Sequence, residues 1–404
     1  MRTLALALPL ALPLPPGVAT PVTRAQEGGT MEVFDEVDPY TGGEREKMRL
    51  LGYVAFGPFP WHGRDRTPDV EETMGGIPML WVETAHFRIG SSLATYRIPA
   101  DRAERARLKD ELARLEERLG RLDAPRKELD PWLRLHLYAQ RAEDAYAAFV
   151  RDFGLAPADF EQIGPHLGNR EKFLLLLCER KSEFGRYART YLGVENDHSY
   201  RWGWQEDCML FGANVEALRD GWAETEVRVL PFDSMLHCAV VAGLAANFAG
   251  GYRGKLTAPQ WFSAGLGHAY ARRIDPRWLN SAGRRAGQRP DEDSEWEPRV
   301  RNLVKNRFFA STADMFGWQA YEDMDERDHL VAWSKLDYVL RGAEGDLPAF
   351  LAALCATTAP AEPGADRAVI ASEQTAALRA GFQVTPAELD EAWAAWVLER
   401  YAKK

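Results

Sequence analysis

The stretch VAGLAANFAGGYRGKLTAPQWFSAGLGHAYARR, Val241 to Arg273, predicts two helices joined by a glycine-rich loop. The first helix begins earlier, and its segment Met235–Phe248 contains no charged residue, so we expect it to be buried on nearly every side. Gly250 and Gly251 end this helix. The second helix opens at the phrase PQWFSAGL. A buried helix at the centre of the chain predicts a fold built around it.

The N-terminus predicts a secretory signal peptide. Arg2 precedes an apolar run from Leu4 to Leu14, and small residues lead to a cleavage site near Ala25. The run is too short to span a bilayer, and no later segment offers the ~18 uncharged apolar residues that a transmembrane helix needs. We therefore expect an exported protein, periplasmic or extracellular, with no integral membrane segment.

The charge balance excludes some partners. The 404 residues carry a formal charge of −10, and removal of Arg2 and Arg24 with the signal peptide leaves 48 basic against 60 acidic residues. Nucleic acid is therefore a poor partner, and so is an anionic membrane surface.

The four cysteines, Cys178, Cys208, Cys238 and Cys355, form no CxxC pair, so the sequence gives almost no support for a cysteine-ligated structural zinc. A disulfide between Cys178 and Cys208 and four buried thiols are both open.

Hydrophobic periodicity divides the chain into regions. The predicted organisation is a signal peptide (1–25), an irregular extension (26–79), a mixed α/β lobe (80–250) and a helical lobe (251–404). Two segments, beginning at Leu133 and Phe173, each combine an apolar, strand-like run with an amphipathic helix, which implies a small mixed sheet. Further predicted elements are a strand at Leu80–Ile89, a helix at Pro99–Leu122, a strand at Asp207–Ala217, a central helix capped by Asp233 or Ser234, helices at Val300–Met315, Asp328–Arg341 and Leu347–Cys355, and a last helix capped by Thr385.

This order of elements resembles the exported peptidase MA-like gluzincins, a family of zincin-like metallopeptidases. In active members one helix carries HExxH, whose two histidines share a helix face, and a later helix carries the third zinc ligand in a phrase of the type PxWLxEGLAxY. The residues that match the second phrase are Pro259, Trp261, Phe262, Gly265, Leu266 and Tyr270. Ala264 stands where the glutamate ligand belongs. The resemblance implies an α+β, zincin-like fold, with a small mixed β-sheet and helices in the N-terminal lobe and an all-helical C-terminal lobe.

The HExxH motif can be aligned with this sequence in two registers. One sets it on residues 237–241 and keeps His237 as a ligand. The other sets it on residues 242–246, where Leu244 and Ala245 match the common form HELAH, and we prefer it. In that register the three ligand positions are Ala242, Ala246 and Ala264, and the general-base position is Gly243. The resemblance then implies a degenerate member with no metal or other cofactor.

The first functional hypothesis is a non-catalytic pseudopeptidase whose cleft binds a peptide, a cell-wall fragment or a partner protein. Trp261, His268 and Tyr270 would line the groove, and the strand Asp207–Ala217 would pair with an extended peptide.

Two alternative hypotheses assign the protein to other functional classes. One is a hydrolase with a constellation drawn from His237, Cys238, His268 and the acids near Glu216. The other is a glycan-binding module in which Trp202 and Trp204 stack on sugar.

Overall fold

The computed structural model describes residues 37–120, 127–223, 230–256, 258–278, 295–357 and 366–402. Its strands are β1 (Ala55–Phe56), β2 (Pro60–His62), β3 (Asp65–Arg66), β4 (Leu80–Glu83), β5 (Phe87–Ser91), β6 (Tyr96–Arg97), β7 (Glu128–Leu129), β8 (Phe173–Cys178), β9 (Tyr200–Trp204) and β10 (Cys208–Asn214). Its helices are α1 (Arg45–Leu50), α2 (Thr67–Thr73), α3 (Arg102–Leu119), α4 (Pro131–Asp152), α5 (Lys181–Tyr187), α6 (Val215–Ala223), α7 (Phe232–Gly250), α8 (Gln260–Ile274), α9 (Trp296–Lys305), α10 (Thr312–Met315), α11 (Glu326–Arg341), α12 (Leu347–Leu354), α13 (Arg367–Phe382) and α14 (Pro386–Arg400). The predicted signal peptide, residues 1–25, lies outside the described residues.

Six strands form one mixed sheet in the order β1-β4-β5-β8-β10-β9. β5, β8 and β10 run parallel to one another, whereas β1, β4 and β9 are antiparallel to their neighbours. The sequence of β8, FLLLLC, is buried throughout, because a central parallel strand is covered on both faces. The predicted α+β class with a small mixed sheet is confirmed.

The alternation of side chains along β8 divides the core into two layers. Leu175 and Leu177 belong to the layer that contains α4 and α7. Leu174 and Leu176 belong to the layer formed by α2, α5 and the β2–β3 hairpin. Successive residues of a strand point to opposite faces, so one apolar strand serves both layers.

Helix α7 is the buried helix that the sequence predicts. Among the described residues it is the one helix long and apolar enough to cross a membrane, but 89% of the window that passes this test is buried inside the protein. That burial is typical of a core helix. Its N-cap is Pro231, not Asp233 or Ser234. Asp233 lies in the first turn, and its carboxylate binds Arg141 on α4 instead of capping the helix.

After β10, every element among the described residues is helical. The predicted cap at Thr385 is confirmed: its hydroxyl accepts from the Glu388 N–H, while the Glu388 carboxylate accepts from the Thr385 N–H. The single helix predicted over Val300–Met315 is wrong, because α9 ends at Lys305. A new helix begins only after Ser311, which forms a capping box of its own.

The strand predicted at Leu133 is also wrong, since this run is the first half of α4. Asp130 caps the helix by accepting from the Leu133 N–H at 2.9 Å, and Pro131 occupies its first turn. Every residue from Trp132 to Ala142 is buried. A helix that is buried on all sides has no polar stripe, so its sequence loses the 3.6-residue period that identifies a surface helix.

The predicted irregular extension is packed on the body in its described part. β1 joins the sheet beside β4. Asp38 Oδ1 lies 3.1 Å from His136 Nε2, and Tyr53 Oη lies 2.8 Å from the other nitrogen of the same ring. These contacts are buried and tie the segment to α4.

All four cysteines are free and buried. In the β8–β10 register Cys178 pairs with Asn214, while Cys208 begins β10 six residues earlier. Six strand residues span about 20 Å, so the predicted Cys178–Cys208 disulfide is wrong. The alternative of four buried thiols is confirmed.

Candidate functional site

A cavity of about 620 Å³ lies among α3, α4, α7 and α8. Its walls are unusually rich in charge. The charged residues that line it are Arg107, Asp110, Glu111, Arg114, Arg141, Asp144, Arg151, Arg273, Asp275 and Arg277. The volume falls in the range of small-molecule sites, about 300–1,000 Å³. We take this cavity, called the α3–α8 pocket below, as the candidate site.

One wall of the pocket is a buried ion cluster. Arg141 Nη2 lies 2.7 Å from Asp233 Oδ2 and 2.7 Å from Glu111 Oε2, and further bonds make both pairs bidentate. Burial alone would raise the pKa of Asp233, but Arg141 outweighs it and lowers the pKa overall. Tyr138 Oη donates to the same carboxylate at 3.1 Å. Because all three charged groups are held by partners, this wall is rigid.

His237 faces the pocket from α7 and is only 3% exposed. Burial and the positive charges of Arg141, Arg107 and Arg114 hold its pKa well below the ordinary value, so the ring is neutral. Its Nδ1 is 3.5 Å from Glu111 Oε1. No hydrogen bond forms, because that carboxylate is committed to Arg141, and Nδ1 has no partner among the described residues.

Arg107 is the arginine of the pocket with the weakest compensation. Its nearest carboxylates are at 3.7 Å on Glu104 and 3.9 Å on Asp275, and its buried Nε has no partner in the described part of the chain. Its one close contact is with the Ser234 hydroxyl. Arg107 and His237 thus both line one cavity, and each carries a buried nitrogen that has no partner among the described residues. Such groups favour a ligand that brings hydrogen-bond acceptors and negative charge.

The predicted zinc-ligand positions lie where α7 and α8 touch. A Cβ built on Gly267, one turn after Ala264, would be 3.6 Å from the Ala242 Cβ. Ala246 is 5% exposed and Ala264 is 9% exposed. In contrast, His237 and Val241, the ligand positions of the first register, line the α3–α8 pocket, which Ala264 does not reach.

The space beside Gly243, the predicted general-base position, is occupied by a side chain from another element. A Cβ at this position would lie 2.5 Å from the ring of Phe211 on β10. A glutamate side chain therefore has no room here unless Phe211 moves.

This contact predicts an effect on stability. We expect Gly243→Ala to lower the free energy of unfolding by about 1–3 kcal/mol, since the added methyl overpacks the core. A matched control is Gly185→Ala on α5, where a Cβ would meet its nearest neighbour at an ordinary 3.7 Å. There the better helix propensity of alanine should stabilise by about 0.5–1 kcal/mol. Urea unfolding of both variants measures the difference in their free energies of unfolding. Equal values would show that the Phe211 ring moves aside to accept the methyl group.

The three candidate catalytic residues, His237, Cys238 and His268, do not come together. His268 Nε2 is 3.2 Å from His329 Nδ1 on α11, and its ring meets Trp296 edge-on. Cys238 donates to the Ala271 carbonyl, and burial raises the pKa of its thiol. The predicted hydrolase constellation is therefore not formed.

The acids near Glu216 do not complete that constellation. Glu216 lies in the first turn of α6, where its carboxylate accepts from the Lys181 N–H at 2.9 Å.

The groove predicted from Trp261, His268 and Tyr270 needs correction. Trp261 is 1% exposed and donates to Gln374 Oε1 at 2.8 Å, inside the helical lobe. Tyr270 lines the α3–α8 pocket and donates to Asp152 at 2.9 Å. Helical periodicity turns the three side chains toward different neighbours, so they share no groove.

The structure also corrects the predicted peptide-pairing strand and the predicted glycan-binding surface. The strand within Asp207–Ala217 is β10, which has β8 on one side and β9 on the other, so it has no edge to offer a peptide. Trp202 is 5% exposed, and Trp204 stacks on His62 at a centroid distance of 3.9 Å. A buried indole cannot stack on sugar, which removes the main support for glycan binding.

Comparison of the chain with protein-family models, with curated proteins and with solved structures finds no match. The function of the site must therefore be inferred from its geometry alone. Sequence reasoning missed Arg107 and Glu111 on α3 and Arg141 on α4, because the contact between the two helices is not visible in either segment.

Proposed function

We propose that this chain is an exported, zincin-like protein without peptidase activity, and that it binds a peptide or cell-wall fragment through a free carboxylate in the α3–α8 pocket. The observation that carries the proposal is that Arg107 and His237, each with a polar nitrogen left without a partner in the described part of the chain, line one cavity of about 620 Å³.

The order and packing of the elements support the zincin-like part. A mixed sheet with an antiparallel edge strand precedes the buried helix α7, and α8 packs against α7 ahead of a helical lobe. The phrase PQWFSAGL opens α8, as the resemblance requires.

The absence of peptidase activity follows from the residues at the helix contact. Alanine at 242, 246 and 264 provides no lone pair for zinc, and Phe211 fills the space beside Gly243.

The ligand class follows from the donors. The Arg107 guanidinium binds a carboxylate with charge-assisted hydrogen bonds, and the neutral His237 ring accepts or donates one further bond. The Arg141 cluster cannot serve, because Glu111 and Asp233 already occupy its donors. A peptide with a free C-terminus presents this chemistry.

Calorimetric titration with dialanine and with dialanine amide tests the proposal. We expect the free acid to bind and the amide to bind at least ~10-fold more weakly, because a charge-assisted hydrogen bond is worth about 1.5–3 kcal/mol. Arg107→Gln should remove the difference between the two peptides. The matched control is Arg49→Gln, the same charge change on an exposed side chain of α1.

Equal affinity for acid and amide, or an unchanged preference in Arg107→Gln, would contradict the proposed ligand. Cleavage of either peptide that stops on adding a chelator would contradict the non-catalytic assignment.

A further inference from the structure

A second cluster of chemically active side chains lies on the opposite layer of the sheet. His62 comes from the β2–β3 hairpin, Asp207 from the turn before β10, and Cys208 from the first position of that strand. One donor atom from each residue lies within 4.8 Å of the other two. No other group of three such side chains meets this criterion among the described residues.

The three side chains are held by the surrounding fold. The His62 ring stacks on Trp204, and its Nε2 lies 3.1 Å from Asp207 Oδ2. The backbone of Asp207 is fixed on both sides, since its N–H donates to the Trp204 carbonyl at 3.0 Å and its carbonyl accepts from the Glu171 N–H at 3.0 Å. Cys208 is 1% exposed and pairs with Trp204 in the sheet. Fixed donors of this kind favour a specific ion.

We propose that His62, Asp207 and Cys208 bind a divalent transition-metal ion of the zinc class, with water as the fourth ligand. Imidazole, carboxylate and thiolate together match the preferences of Zn²⁺ and Co²⁺ and exclude Mg²⁺ and Ca²⁺, which take oxygen ligands. On binding, the Cys208 thiol releases its proton to solvent, and the thiolate forms a bond to the metal.

The geometry is close to that of a bound site. Donors of a tetrahedral zinc are about 3.3–3.8 Å apart, given metal–ligand bonds of about 2.0–2.3 Å. Side-chain rotations that move the most distant pair by about 1 Å bring the three donors to that spacing. His62 and Asp207 have side chains that are 20% and 33% exposed, which gives the ion a path from solvent.

This site is independent of the proposed function. It uses neither the predicted zinc-ligand positions on α7 and α8 nor any residue that lines the α3–α8 pocket.

Titration of the full chain with Co²⁺, followed by absorption spectroscopy, tests the assignment. We expect one Co²⁺ per chain and a thiolate-to-cobalt charge-transfer band. Cys208→Ser should lose the band. Cys178→Ser is the matched control and should keep it, because that cysteine is equally buried in the same core layer but lies about 20 Å away along the sheet.

His62→Gln provides a test that does not depend on a buried cysteine. We expect this half-buried substitution to weaken Co²⁺ binding at least ~10-fold, since loss of even an outer-shell partner of a metal site costs that much. Absence of the band in the wild-type chain, its survival in Cys208→Ser, its loss in Cys178→Ser or unchanged affinity in His62→Gln would each overturn the proposal.

Discussion

Arg141→Met is expected to destabilise the protein by about 3–5 kcal/mol. The substitution leaves two carboxylates, Glu111 and Asp233, buried without their cation, and removal of one partner from a buried ion cluster has this cost. The side chains of Arg141 and Asp233 are each 1% exposed, and that of Glu111 is 7% exposed, so water replaces little of the lost interaction. Total stabilities of domains are about 5–15 kcal/mol, so the loss should be evident in urea unfolding at neutral pH.

Arg114→Met is the matched control. Its partner Asp144 is 2.8 Å away, but both side chains are about half exposed, at 49% and 48%. Exposed pairs contribute about 0–1 kcal/mol, so this variant should unfold close to the wild-type midpoint. Equal losses in the two variants would mean that solvent reaches the Arg141 cluster.

A third variant separates desolvation from packing. Replacing the whole cluster, Glu111→Leu with Arg141→Met and Asp233→Leu, should recover much of the stability lost in Arg141→Met alone. Apolar replacement of a complete buried ion cluster is often neutral or stabilising, because no charge remains to be desolvated. A triple variant less stable than Arg141→Met would show that the cluster contributes net stability.

The sequence predicts those parts of the fold that local rules determine. α7 lacks charge over a long run, and α14 carries a capping box at Thr385, so both helices could be assigned without a structure. α4 could not be assigned by periodicity, because its first half is buried on every side and resembles a strand. Its own start signals, Asp130 and Pro131, were the better guide.

The candidate site was less predictable than the fold. Arg107 and His237 are 130 residues apart in the sequence and meet only because α3 contacts the first turn of α7, where Arg107 bonds to Ser234. His62 and Cys208 are also distant in the sequence, and they meet in the second core layer, where the β2–β3 hairpin packs on the sheet. The family resemblance points to Ala242, Ala246 and Ala264, whereas the cavity is lined by other residues of the same two helices, among them His237 and Tyr270.

Lowering the pH from about 6.5 to 5 is expected to destabilise the protein strongly. Four histidines, three of them buried and His166 half-buried, have pKa values below their ordinary value of 6.5. Burial, as the largest cause, lowers those of His166 and His329 to about 4 and those of His237 and His268 well below the ordinary value. Because the folded-state pKa is the lower one, the unfolded chain takes up protons first. Stability is therefore full above about pH 6.5 and falls as the pH decreases.

The size of the effect follows from linkage. Each such histidine removes about 1.4 kcal/mol per pH unit, or about 2 kcal/mol over this interval, so the group can offset most of the stability of a domain. Glu104 and Glu183 act in the opposite direction, since burial raises the pKa of each carboxyl, and they offset part of the loss. Urea unfolding at about pH 7, 6 and 5 measures the slope.

Substitution of the α8–α11 histidine pair identifies the source of that slope. His268 and His329 share a 3.2 Å contact, and after burial the charge of His329 further lowers the pKa of His268. We expect His329→Gln to reduce the slope by about one proton and His268→Gln with His329→Gln to reduce it by about two, because glutamine keeps a hydrogen-bonding group but does not titrate. A slope that is the same in all three proteins would place the acid sensitivity elsewhere and show that solvent protonates the pair in the folded state.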